Sequence, residues 1–214
     1  MFIPYKAEVE ILVNPISNLL IIGFTFLFFI SVYSGFTSID SYILDGFNSS
    51  VLSHGFMHGG WGHILGNMFY LLLFGSAICS RIGNATFPTI YFTLIVCSGL
   101  IHLIFDGSPA IGASGAVNGV IGIYLFLYPR SKIKCMWTVI WAWGKTFSIR
   151  ANWLIGFWFL KDLFGALYSE APIAYVAHLG GLFSGVAIGW LMYKYNWVKR
   201  TSNEPNLAQV LSRS

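Results

Sequence analysis

Ser114 lies in Ile111-Gly112-Ala113-Ser114-Gly115-Ala116-Val117-Asn118-Gly119, at the mouth of an apolar, glycine-spaced stretch. His178 lies in Ala177-His178-Leu179-Gly180-Gly181, near the start of another. His63 and Asn67, four residues apart, stand on a third. A hydroxyl within hydrogen-bond reach of an imidazole is a nucleophile with its general base. Further N–H donors beside it can hold the oxyanion of an acyl-transfer intermediate. These residue types therefore suit serine-dependent hydrolysis of a peptide bond, carried out among apolar segments.

The elements that must position them follow from composition. Of 214 residues, 56% are hydrophobic, 18% aromatic and only 9% charged, with mean hydropathy +0.70. Soluble domains carry about 25% charged residues, so the chain reads as an all-α polytopic membrane protein. Six apolar segments, at about 19–32, 62–80, 87–105, 114–128, 153–168 and 174–193, are candidate spans. Residues 1–18 form a cytoplasmic lead, 19–195 one six-helix domain, and 196–214 a polar cytoplasmic tail, read as flexible. The lead has no Arg-rich, acid-free character and no cleavage site follows the first apolar run, so that run is read as a retained span. Residues 133–143, apolar with three tryptophans but too short to span, read as an interfacial stretch between spans four and five.

Orientation comes from the basic residues. Lys6, Arg81, Arg130, Lys132, Lys134, Lys145, Arg150, Lys194, Lys199, Arg200 and Arg213 all fall with the termini in a six-span arrangement, leaving Lys161 inside a span. The opposite loops hold Asp40, Asp45, Asp106 and Glu170 and no Lys or Arg. Both termini are therefore placed in the cytoplasm. The net charge of +4 is spread over short loops and does not indicate nucleic acid. Cys79, Cys97 and Cys135 are odd in number, lack a CxxC pair and read as packing residues.

Depth brings the polar residues together. The fourth span is 15 residues, about 22 Å of helix against a hydrocarbon core of about 30 Å. With its Tyr128-Pro129-Arg130 end at the cytoplasmic face, Ser114 lies roughly 8 Å below the outer face. Counting inward from Ile173 and Trp61 puts His178 roughly 7 Å down, and His63 and Asn67 roughly 3 and 9 Å down. Laterally, His178, Gly181, Gly185 and Gly189 share one helical face, and Gly115, Asn118, Gly119 and Gly122 form a stripe beside Ser114. Small residues let two helix backbones approach closely in lipid. Glycine stripes alone mean ordinary packing, and a serine at a helix start is most often a cap. A serine and a histidine at matching ends of two stripes favour the dyad.

With those residues in place, the sequence resembles the rhomboid intramembrane serine proteases of the simple six-span bacterial kind. The resemblance rests on His54-Gly55-Phe56-Met57-His58-Gly59-Gly60-Trp61-Gly62-His63-Ile64-Leu65-Gly66-Asn67-Met68, on Gly112-Ala113-Ser114-Gly115, and on Ala177-His178-Leu179-Gly180-Gly181, in family order and spacing. It implies a six-helix bundle with a short central fourth helix, in the cell inner membrane. It implies a Ser–His dyad without an acid, with Ser114 the nucleophile and His178 the base. The oxyanion hole would comprise His63, Asn67 and the Ser114 N–H, in a loop shaped by Gly112. Transmembrane segments of membrane proteins would be the substrates, cut near their outer ends, with the bilayer as medium and no metal or cofactor required. Two departures stand out. Asn118 occupies the position where an aromatic often packs on the histidine, and the first outer loop lacks a Trp-Arg pair. Asn118 is a candidate to orient His178, as Asn orients His in papain-like proteases; an interhelical hydrogen bond without catalytic role is the plainer alternative.

Other polar residues read as structural. His54 and His58 are one turn apart but have no HExxH pattern, and His102 sits at an outer helix end. Lys161 and Asp162 lie mid-span, where charge is costly and usually faces protein or water. Two other functions compete with proteolysis. A non-catalytic rhomboid-like protein that binds transmembrane clients would typically lack the serine or the histidine. A metal or haem protein using His54, His58 and His63 leaves the Ser114 motif unexplained.

Overall fold

The computed structural model describes residues 2–139, 142–198 and 205–212. Lys199, Arg200 and Arg213 of the charge reading lie outside the described residues. In chain order the elements are β1 (Phe2–Ala7), α1 (Ile16–Tyr33), α2 (Ser50–Ser53), α3 (Trp61–Tyr70), α4 (Ser76–Ile82), α5 (Thr86–Phe105), α6 (Ser114–Leu127), β2 (Lys132–Val139), β3 (Ala142–Arg150), α7 (Ala151–Tyr168), α8 (Tyr175–Lys194) and α9 (Leu207–Leu211). A π-helical turn at Leu71–Gly75 joins α3 to α4. The architecture is the polytopic helical bundle that the composition predicts. Four helices, Ile16–Tyr33, Trp61–Ile82, Thr86–Phe105 and Tyr175–Lys194, are long and apolar enough to cross a membrane. Ser114–Leu127 is apolar but shorter, and α7 carries the charged Lys161 and Asp162.

The short helix α6 is the axis of the bundle. Its buried residues run from Gly115 and Ala116 to Phe126 and Leu127, and α5 and α8 lie against it. The glycine stripes meet as their spacing predicts. A Cβ on Gly181 would collide with the Gly115 carbonyl, one on Gly185 with the Gly119 carbonyl, and one on Gly122 with the Leu182 carbonyl. The helices α6 and α8 thus touch backbone to backbone, and a branched side chain has nowhere to go. Gly185→Val is expected to lower the melting midpoint in detergent by about 10 °C, since overpacking costs about 1–3 kcal/mol and here the obstacle is backbone. A differential scanning measurement checks it.

Asn18 of α1 reaches the π turn, donating from Nδ2 to the Leu71 carbonyl (3.1 Å) and the Ser76 hydroxyl (3.2 Å). Gly75 makes room, because a Cβ there would sit 2.6 Å from Asn18 Oδ1. This bond staples α1 to the helix that carries His63 and Asn67.

A three-stranded antiparallel sheet, order β1-β2-β3, is the main departure from the sequence reading. The segment 133–143, read from sequence only as an interfacial stretch, has a regular structure: its described residues belong to the β2–β3 hairpin. Ile133 and Cys135 are buried and alternate with the more exposed Lys132 and Lys134, the period of a half-buried strand. Phe2–Ala7 supplies the third strand, pairing Phe2 with Trp137 and Ala7 with Ile133, and Glu8 pairs Lys134 at 3.2 Å. Burial also holds the Cys135 thiol above its ordinary range. Lys6, Lys132, Lys134, Lys145 and Arg150 all belong to this sheet. Within the segment read as a flexible tail, α9 is closed by a capping box between Asn206 and Gln209, and Leu207 and Ala208 pack on the core.

Candidate active site

At the other end of the bundle, the loop before α3 and the loop before α6 are tied together. Leu44 and Ala110 exchange backbone hydrogen bonds (2.9 and 3.1 Å), and the Gly112 N–H donates to the His54 carbonyl (2.9 Å). His54 Nδ1 bonds the Ser50 carbonyl at 2.9 Å, and His102 Nε2 the Ser108 carbonyl at 2.8 Å. Asp106 accepts from the Ser108 hydroxyl, which holds its carboxyl below the usual range. Burial, with His63 nearby, lowers His58 to about 3. His58 is therefore neutral at ordinary pH, and its Nε2 accepts from the Ala113 N–H at 3.5 Å. These histidines brace the loop that leads into Ser114 through hydrogen bonds to its backbone and its neighbours. No group of three or more His, Cys, Asp or Glu that could hold a metal occurs among the described residues.

Ser114 is the first residue of α6, and Ala113 rather than Ser114 occupies the capping position. The plain-cap reading of the hydroxyl therefore does not apply. Among the described residues Ser114 Oγ makes no hydrogen bond, and the first N–H groups of the helix have no partner within it. Gly112, at φ +121°, turns the chain into α6. A Cβ there would lie 2.7 Å from both Cε1 and Nε2 of His63, so the backbone and the imidazole are in near contact only because the residue is glycine. His63 Nδ1 accepts from the Gly59 N–H at 3.4 Å, and its ring stands 5.0 Å from that of His58. Asn67 Nδ2 is buried with no hydrogen-bond partner, a donor held ready and unused.

Ser114, His178, His63, Asn67 and Asn118 all line one cavity of about 490 Å³. Tyr70 and Trp158 form part of its wall, packed edge to face at 5.2 Å. A second cavity of about 520 Å³ shares His63, Ile111, Pro172, Ile173 and Ala174 with the first.

Around His178 the structure differs from expectation. Asn118 Nδ2 donates to the Ser114 carbonyl of its own helix, 3.0 Å away. The group at His178 Nδ1 is the Asp162 carboxylate, at 3.1 Å. Asp162 also approaches Lys161 Nζ at 3.8 Å, but the lysine side chain is 64% exposed against 11% for the aspartate. The sequence gives Asp162 a structural reading, and the family resemblance implies a histidine without an acid. The available signal was the cost of a carboxylate mid-span, which demands a partner. Lys161 adjoins it in sequence but, one residue before it, leaves the helix in another direction.

Comparison with known proteins adds independent findings. A family model described as Rhomboid domain matches residues 47–195. The chain is 28% identical over 154 residues to Rhomboid protein 1, mitochondrial, of Saccharomyces cerevisiae, covering 68% of this chain and 42% of that protein. It is 34% identical over 143 residues to Rhomboid protease GlpG of Klebsiella pneumoniae, covering 65% and 46%. It is 24% identical over 155 residues to Rhomboid-like protein 11, chloroplastic, of Arabidopsis thaliana, covering 65% and 51%. The chain thus spans about half the length of the curated relatives it matches.

Proposed function

Because this chain belongs to the rhomboid family, we propose that it is an intramembrane serine endopeptidase that cuts transmembrane segments of membrane proteins near their outer ends. One observation carries the reading: a serine whose hydroxyl makes no hydrogen bond among the described residues, a histidine and two further N–H donors line a single cavity, one of those donors buried without a partner. In the proposed reaction, Ser114 Oγ attacks the scissile carbonyl while His178 takes its proton at Nε2. The tetrahedral oxyanion is held by the Ser114 N–H, His63 and Asn67 Nδ2, at the positive end of α6. His178 then protonates the leaving amine, and water repeats the sequence on the acyl-enzyme. An unused buried donor suits this role, since it gains its bond only as charge develops on the oxygen.

The same reading makes the chain a six-span protein of the cell inner membrane with both termini in the cytoplasm. The basic sheet of β1, β2 and β3 supports that orientation. The family domain of 47–195 lies within the proposed 19–195 unit, with the lead and tail outside it.

Labelling of solubilised protein with a serine-reactive fluorophosphonate tests the proposal without a known substrate. Wild type is expected to label and Ser114→Ala to remain dark. A folded wild type that stays unlabelled in both detergent and lipid overturns the protease and leaves client binding as the reading.

A further inference from the structure

We propose that Asp162 is the positioning residue of this site, completing a Ser114–His178–Asp162 relay in which its carboxylate sets the tautomer of the base. The inference rests on the protease reading above. Three observations carry it. Asp162 Oδ2 lies 3.1 Å from His178 Nδ1 across the α7–α8 contact, with side-chain exposures of only 11% and 15%. Gly165, one turn along α7, allows that contact, because a Cβ there would press 2.5 Å from the Tyr175 ring. The amide that could have served instead, Asn118, turns its Nδ2 to the Ser114 carbonyl, and among the described residues no hydrogen bond joins it to His178.

The chemistry follows from the donor rule. An ionised carboxylate only accepts, so the proton of a neutral His178 resides on Nδ1 and the Nε2 lone pair is the base. When the Ser114 proton moves to Nε2, the ring becomes an imidazolium beside an anion in surroundings of low polarity, where the attraction is far larger than in water. The proton then passes from Nε2 to the leaving amide nitrogen, and Asp162 remains ionised throughout. Lys161, exposed and 3.8 Å from the other carboxylate oxygen, is the remaining charged group that touches Asp162 among the described residues.

The test uses the full chain in vesicles of phosphatidylethanolamine and phosphatidylglycerol, as wild type, Asp162→Asn, Asp162→Glu and Lys161→Met. The readouts are the fluorophosphonate labelling rate, the melting midpoint, and kcat and KM on a single-span peptide with a Gly-Pro break near its outer end. Asparagine keeps the shape of Asp162 but removes its charge, and can present a donor to Nδ1. Asp162→Asn is expected to lower kcat and the labelling rate together by about 10²- to 10⁴-fold. KM should stay within about threefold, the midpoint should hold, and Asp162→Glu should regain at least tenfold of the loss. Asp162→Asn that labels and turns over within about threefold of an active wild type overturns the relay and leaves the protease intact. A loss that tracks a fallen midpoint and is not restored by glutamate makes Asp162 structural and also overturns it. An equal loss in Lys161→Met assigns the effect to the lysine pair and likewise overturns the relay. A wild type that neither labels nor cleaves overturns the protease reading and this inference with it.

Discussion

His178→Ala is expected to lower turnover of a single-span substrate in vesicles by about 10⁴-fold or more, while the protein still folds. Removing the base from a nucleophile–base pair removes nearly all of what the pair contributes, because neither partner works alone. The serine hydroxyl is then a poor nucleophile at neutral pH, and what remains comes from the oxyanion donors and from binding. The substitution leaves the α6–α8 contact in place, since that contact is made by Gly181 and Gly185 against Gly115 and Gly119, one turn and more below the histidine. His178 is itself partly exposed to the cavity, so its truncation opens space without breaking the packing. Turnover within tenfold of wild type, with an unchanged melting midpoint, would remove His178 from the role of base.

Gly112→Ala is the second large effect, expected at about 10²- to 10³-fold in kcat, the usual cost of one lost oxyanion donor. Two physical reasons act together. The residue sits at φ +121°, where an L side chain costs of order 1–3 kcal/mol. Its new Cβ would also stand 2.7 Å from the His63 ring, so the ring or the loop must move, and both carry proposed oxyanion donors. Gly60 makes a fair comparison. It precedes α3 with extended backbone at φ 162°, and a Cβ there meets nothing within 4 Å. Gly60→Ala should retain turnover within about threefold. Equal losses in both variants would show that neither loop tolerates substitution, and Gly112 would lose its special place.

The differences between sequence and structure have specific causes. The helical stretches α1, α3 to α4, α5, α6, α7 and α8 fall within a few residues of the six apolar segments, because an uninterrupted apolar stretch is decided locally by length and composition. The hairpin was not legible. Lys132 to Cys135 alternate for too few residues to stand out among tryptophans, and their outer partner, Phe2–Ala7, comes from the start of the described chain, with the stretches α1, α3 to α4, α5 and α6 between them. The cap assignment at Ser114 moved by one residue to Ala113, a boundary that propensity does not resolve. At His178 the sequence reading offers Asn118, one turn along its helix from Ser114, and gives the mid-span Asp162 a structural role.

The sequence by itself determined that this is a polytopic helical protein, that two glycine stripes bring α6 and α8 together, and that Ser114, His178, His63 and Asn67 come to one place, where they line one cavity. Those are properties of spacing along single helices, and a helix fixes the depth and face of each residue from its number alone. Only the tertiary structure decided which side chain occupies His178 Nδ1 and that Asn67 Nδ2 is left without a partner. It alone showed that the Gly112 backbone presses on His63. Each of these depends on the rotation of one helix against another, which is set by packing across the whole bundle and has no signature in any one segment.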